Sequence, residues 1–249
     1  RAGQDADVMS PLVPATINYT VCWGVGNIGY RRPQLRLYQT GPRLAWAVAV
    51  ARNITDDLDG NGIVDGEDST VPLVQGRLAY TCSPGGRALT LGGSGHYGVM
   101  DSPAAADEDY RTWSANGEVS LALSSRAKLL GEAYVGSNLA TYFGSILNAN
   151  RTAGLDSRGG WVNLQYKVTP LTSLSLGASA DSVDEDDLTA EAARSGNRAL
   201  FGNLEYEIGP GVTAGVDLSH WSTKYPNAAP GTDTEPSDLR LQIAIQGSI

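Results

Sequence analysis

The stretch "DLRLQIAIQGSI", Asp238 to Ile249, decides how the rest of the chain reads. Successive side chains of an extended strand point to opposite faces. Leu239, Leu241, Ile243, Ile245, Gly247 and Ile249 therefore share one side, and Arg240, Gln242, Ala244, Gln246 and Ser248 share the other. One side suits lipid and the other suits water. The run also has the length of a tilted membrane-crossing strand, which needs about 9–11 residues plus its ends.

The same period-two pattern recurs upstream at Ile28–Gln39, Arg43–Ile54, Pro72–Thr81, Arg87–Met100, Tyr110–Leu123 and Ala127–Ser137. It continues at Gly159–Val168, Ser173–Asp181, Asn197–Ile208 and Val212–Ser222, and a partial strand ends near Asp7. Tight turns, "TGP", "SPGG", "SSR", "TPLT" and "GPG", alternate with long links. The long links are Met9–Asn27, Asp56–Ser69, "DSPAAADED", "NLATYFGSILNANRTAGLDS", "SVDEDDLTAEAARSG" and "KYPNAAPGTDTEPS". Short periplasmic turns alternating with long extracellular loops are the plan of an outer-membrane barrel. The expected fold is all-β, an antiparallel transmembrane β-barrel of about eleven or twelve strands in this chain, forming one domain over residues 1–249.

A soluble β-sandwich also alternates, with its apolar face inward and its charged face in solvent. The loop rhythm, the Tyr and Trp near strand ends, and a charged content of only 18% favour the membrane barrel. Thirty glycines, eleven tyrosines and five tryptophans against two phenylalanines and two methionines suit strands and turns better than a helical core. A net charge of −9 argues against nucleic acid as a partner, because a phosphate backbone needs a basic surface. No run approaches a membrane helix; "LAWAVAVA" stops at Arg52.

Catalytic signatures are missing from the sequence. His96 and His220 are far apart and have no cysteine partner, so a zinc site is not expected. "GGSG" at Gly92–Gly95 has no following helix or Lys-Ser/Thr to cradle a phosphate, and no Gly-x-Ser-x-Gly elbow occurs. Cys22 and Cys82 are too few for a disulfide framework and read as two unpaired thiols. The chain is read as a non-enzyme.

In "RRPQLRLYQ", Pro33, Leu35 and Leu37 face one way and Arg32, Gln34 and Arg36 the other. In "GGWVNLQYKV", Val162, Leu164, Tyr166 and Val168 oppose Trp161, Asn163, Gln165 and Lys167. In "NRALFGNLEYEI", Leu200, Gly202, Leu204, Tyr206 and Ile208 oppose Asn203, Glu205 and Glu207. With the polar face inward, the pore-lining candidates are Arg32, Gln34, Arg36, Arg77, Glu118, Glu132, Asn163, Gln165, Lys167, Glu205, Asp217 and Arg240. Trp46, Tyr80, Tyr206 and Leu241 fall on the lipid side. Arg32 and Arg36, four residues apart on one inner face, form a cationic ladder, although each inward charge reads equally well as half of a transverse ion pair.

The stretches "GYRRPQLRLY", "GEAYVGSNLATYFGSILN", "GGWVNLQYKVTP", "SADSVDEDDL", "NRALFGNLEYEIGPGVTAGVDLSHWSTKY" and "LRLQIAIQGSI" together resemble the DcaP-like trimeric porins of outer membranes. The resemblance covers nearly the whole sequence as the carboxy-terminal two-thirds of such a protein. It implies sixteen strands in the full barrel, of which the amino-terminal ones are missing here, a homotrimer, outer-membrane lipid around it, and small hydrophilic solutes with organic anions favoured. Where such barrels commonly end in an aromatic residue, this chain ends in Ile249.

The expected function is passive diffusion through a water-filled lumen narrowed by an infolded loop. Met9–Asn27 is the candidate, because "PLVPATINYTVCWGVG" is too apolar for a freely waving extracellular segment; contact with a neighbouring subunit is the other reading. The alternative function is a cell-surface structural or adhesive β-protein without channel activity.

The link "DDLDGNGIVDGEDS", Asp56–Ser69, carries the pattern of a twelve-residue calcium loop, although strands rather than helices flank it. Asp57, Asp59 and Asn61 take positions one, three and five, and Gly62 is the turn glycine. Ile63 offers its carbonyl at seven, and Asp65 and Asp68 fall at nine and twelve. Hard calcium takes six to eight oxygens, which this run supplies locally. The expectation is a structural Ca²⁺ in residues 57–68 that caps an extracellular hairpin end, holding together carboxylates that otherwise repel.

Overall fold

A strand that alternates apolar and polar residues buries nothing by itself and leaves its backbone groups open, so it needs a hydrogen-bonded neighbour on each side. The computed structural model describes residues 1–18, 21–53, 71–100, 110–148, 154–188, 193–226, 232 and 234–247. Twelve strands follow one another through it. They are β1 (Ala2–Ala6), β2 (Arg31–Thr40), β3 (Leu44–Ala51), β4 (Leu73–Cys82), β5 (Leu89–Met100) and β6 (Tyr110–Ala122). The second half comprises β7 (Ala127–Ser137), β8 (Asp156–Lys167), β9 (Thr172–Val183), β10 (Gly196–Gly209), β11 (Val212–Lys224) and β12 (Ser237–Gly247). All belong to one sheet in sequence order, each antiparallel to the next. The expected meander is therefore present, as a sheet whose edges are β1 and β12.

Two strand starts differ from the sequence expectation by three residues, the others by at most two. β2 begins at Arg31 rather than Ile28, because Ile28 is buried in an apolar cluster and Gly29 at φ +115° breaks the extended run. β8 begins at Asp156 rather than Gly159: its first turn-out positions, Asp156 and Arg158, are exposed and polar, so the apolar alternation that marks the strand starts late.

The burial pattern is inside-out relative to a soluble protein. Leu35, Leu37, Val74, Leu78, Leu176, Leu200, Leu239, Leu241, Ile243 and Ile245 are all exposed, while Gln75, Asn163, Ser175, Asn203 and Asp217 are buried. The register agrees with the expected faces. Leu78 pairs with Trp46, and Leu218 with Leu241, on the exposed side, while Ser219 pairs with Arg240 on the other. Tyr80 and Tyr206 are likewise exposed. A one-residue slip in any strand would exchange its two faces, so the register is fixed by which side must be polar.

Candidate functional site

What covers the polar face is the chain itself. The described residues between β1 and β2, 7–18 and 21–30, do not extend away from the sheet but lie along its inner wall. The outbound limb makes no ladder with a strand. Its backbone N–H groups instead donate to side chains standing on successive strands. Val8 N donates to Gln75 Oε1 on β4 at 2.6 Å, Ser10 N to Ser94 Oγ on β5 at 3.2 Å, and Leu12 N to Glu132 Oε1 on β7 at 2.8 Å. Ala15 N donates to Asn163 Oδ1 on β8 at 3.1 Å, and Ile17 N to Asp217 Oδ2 on β11 at 2.7 Å. In return Ser175 Oγ of β9 donates to Ala15 O at 2.6 Å and Gln246 Nε2 of β12 to Ile17 O at 3.1 Å.

An unpaired buried N–H costs about 1–3 kcal/mol, so this row of acceptors is what lets non-strand backbone lie there. Pro11 and Pro14, which have no N–H, fall between the donors. The limb also shows that the sheet is curved. From β4 to β12 are eight strand spacings, about 38 Å along the wall at about 4.8 Å each. Residues 8 to 17 reach at most about 32 Å even when fully extended.

The return limb is held differently. Val21, Cys22 and Val25 pack against Leu130, Trp161, Ala199 and Phe201 of the wall. Burial pushes the Cys22 thiol up to about 12. Gly26, at φ +112°, touches the wall so closely that a Cβ there would collide with the carbonyl oxygens of Gly160 and Ala180. Asn197 Nδ2 of β10 donates to Gly24 O at 2.7 Å. Trp23 then stacks on Phe143 of the 138–155 connection, ring centroids 3.9 Å apart, and Gly24 N donates to Phe143 O at 2.8 Å.

Asp7 and Arg32 clamp the two ends of the segment together. Arg32 Nε lies 2.7 Å from Asp7 Oδ1, and both side chains are shut off from solvent. The pair is a charge contact without aligned hydrogen bonds from the guanidinium, whose plane sits 4.1 Å from the Tyr142 ring centroid. Gln75 Nε2 donates to the same Asp7 oxygen at 2.6 Å, and Tyr30 N to the other at 2.8 Å.

The sequence-predicted wall residues thus divide. Arg32, Gln34, Arg77, Glu118, Glu132, Asn163, Gln165, Glu205, Asp217 and Arg240 all stand on the expected face, Arg36 and Lys167 also, the latter at the rim. The cationic ladder does not exist as a solvated feature. Arg32 is 0% exposed against Asp7, and Arg36 reaches Asp5 at 3.6 Å and Gln34 Oε1 at 3.0 Å. The cause is β1: Asp5 is the register partner of Arg32, which brings two acids against two arginines. Arg77 and Glu118 form the expected transverse pair, with Nε to Oε2 at 3.0 Å. Arg240 holds Asp238 at 2.9 Å.

Sequence reasoning missed the apolar seat of the return limb. Its signal was present: Trp161 and Phe201 occupy inward positions of strands whose other inward residues are polar, and the segment that meets them is apolar. His96 is buried between Ser114 Oγ at 2.8 Å and Thr112 Oγ1 at 3.0 Å, a structural role. Cys22 is buried in the segment, while Cys82 ends β4 beside a turn; both are free thiols. The calcium-loop residues Asp57, Asp59, Asn61, Ile63, Asp65 and Asp68 lie outside the described residues.

No family model matches the sequence, and no curated protein matches it. Solved structures do. The outer membrane channel DcaP of Acinetobacter baumannii superposes with a TM-score of 0.82 at 18% identity, over 100% of this chain and 71% of that one. OprB of Pseudomonas putida gives 0.65 at 12% identity, over 99% and 68%. An anion-selective porin from Comamonas acidovorans gives 0.61 at 13% identity, over 99% and 73%. The chain has the fold of the outer-membrane porins.

Proposed function

We propose that the chain is the greater part of an outer-membrane diffusion channel for small hydrophilic solutes. The observation that carries this reading is the infolded segment, which partitions the space inside a curved sheet whose exposed face is apolar. An adhesive or structural surface protein needs no such partition. Water and solute pass beside the segment, whose position narrows the lumen, and no step of chemistry is assigned to the wall.

The fold shared with three outer-membrane proteins supports insertion in that membrane with the long connections outward. A homotrimer is the assembly that the sequence resemblance implies. Because Arg32 and Arg36 are committed to Asp7 and Asp5, a preference for organic anions draws no support from them. Conductance of the purified protein across a planar bilayer is the test. Discrete ohmic steps are expected, and a protein that stays soluble and monomeric without detergent would refute the reading.

For the link at residues 57–68 the proposal is a structural Ca²⁺ held by Asp57, Asp59, Asn61, the Ile63 carbonyl, Asp65 and Asp68 on the extracellular side. The spacing supports it, and surface modules outside the cell meet abundant calcium. Calorimetry should show calcium heat that disappears in an Asp57→Ala, Asp59→Ala variant. Equal, negligible heat in both proteins would leave only an acidic turn.

A further inference from the structure

Residues 8–30 contain no Asp, Glu, Lys, Arg or His. Yet two of the wall side chains on which this segment rests are acids. Glu132 is 6% exposed and Asp217 3% exposed, each with one oxygen accepting from the segment's backbone. Their other oxygens, Glu132 Oε2 and Asp217 Oδ1, are buried and have no hydrogen-bond partner. Arg77, which stands on the same wall, is committed to Glu118 through two contacts. The segment's other side is apolar: Pro11 and Val13 are exposed, Val13 at 53%.

We propose that the infolded segment is an electrostatic mask, which keeps Glu132 and Asp217 from setting the ion preference of the channel. The segment lays an uncharged, apolar surface over two carboxyl groups that would otherwise line the lumen. Charge rings on a pore wall set ion preference, and a carboxyl group returned to water is ionised at neutral pH. A solute meeting the masked wall on this arc encounters Pro11 and Val13 in place of two negative charges. Ile17 holds the far end of the mask by seating on Gly215, where a Cβ would stand 2.6 Å from Ile17 Cδ1. The mask rests on the channel reading and adds that its selectivity depends on what the segment covers.

The test is the reversal potential in a KCl gradient across a planar bilayer, with four forms of the full protein. In the intact channel, Glu132→Gln with Asp217→Asn should leave the cation-to-anion permeability ratio within about 1.5-fold of the parent, since neither acid meets the solution. Replacing residues 11–18 by a short Gly-Ser linker should raise that ratio about threefold or more, and adding the two neutral substitutions should abolish the rise. If the shortened form does not assemble, thiol labelling decides: in a cysteine-free background Asp217→Cys should react with a charged methanethiosulfonate at least about tenfold more slowly than the exposed Glu207→Cys. Comparable labelling rates, or an altered ratio in the intact double variant, would overturn the mask. So would a shortened channel with the parent's ratio. Absence of current from the parent protein would instead sink the channel reading, and the mask with it.

Discussion

The two limbs of the segment between β1 and β2, residues 7–18 and 21–30, lie on one wall but differ in what chiefly holds them. The outbound limb donates its backbone to side-chain acceptors on β4, β5, β7, β8 and β11, whereas the return limb buries Val21, Cys22 and Val25 against Leu130, Trp161 and Phe201. The difference teaches how irregular backbone survives inside a barrel. Polar backbone is tolerated where each donor meets an acceptor, and apolar area then supplies the free energy that keeps it there. The outbound contacts fix where the segment lies; the return contacts fix that it stays.

That division can be broken at its shared end first. Arg32→Ala leaves Asp7 buried without a cation and should destabilise the folded barrel by about 3–5 kcal/mol in urea unfolding, the largest effect expected. Replacing both partners by apolar residues should recover much of that loss, since paired buried charges are often dispensable together. Leu130→Ala, on the return limb's seat, should cost about 2–5 kcal/mol and free the segment for limited proteolysis. Gln75→Leu removes the acceptor for Val8 N and a donor to Asp7, and should cost about 1–3 kcal/mol with the return limb still seated. If Leu130→Ala left proteolysis unchanged while Gln75→Leu released the segment, the roles assigned to the limbs would be reversed.

The smallest effect should come from outside the lumen. Lys224 Nζ lies 2.6 Å from Glu185 Oε1, both half in solvent, and the hydrogen bond from Lys224 holds the Glu185 carboxyl below its ordinary range. A carboxyl lowered on folding contributes stability above its unfolded pKa and loses it as pH falls through the folded value. Glu185→Gln should therefore alter unfolding slightly at neutral pH and not at all in acid, with even that difference erased by high salt.

The strands were legible because each carries its own alternation, and the inward positions of Asn163, Glu205, Asp217 and Arg240 followed from parity alone. The infolding of the described parts of this segment was legible from its being too apolar for a free loop, although contact with a neighbour fitted nearly as well. What could not be read was pairing across strands. That Arg32 meets Asp7 and Arg36 meets Asp5 depends on the β1–β2 register, which a short strand without apolar alternation does not announce. The 138–155 connection looked like a plain link. Its hold on the wall, through Ser145 N to Tyr134 OH at 3.4 Å and Ile146 N to Asp181 at 3.3 Å, rests on left-handed residues that no composition reveals.

The row of acceptors under the outbound limb has a consequence for inheritance and redesign. Every residue except proline offers the same N–H, so along this limb the wall addresses the backbone, and the exposed side chains, Pro11 and Val13, are left free of it. Substitutions at Pro11 and Val13 can therefore accumulate freely, changing what a passing molecule touches, while Gln75, Ser94, Asn163 and Asp217 hold the address at which any such segment docks. A barrel built this way can change its filter without refolding its frame, and a foreign segment of equal length, with donors in the same places, should settle into the same berth.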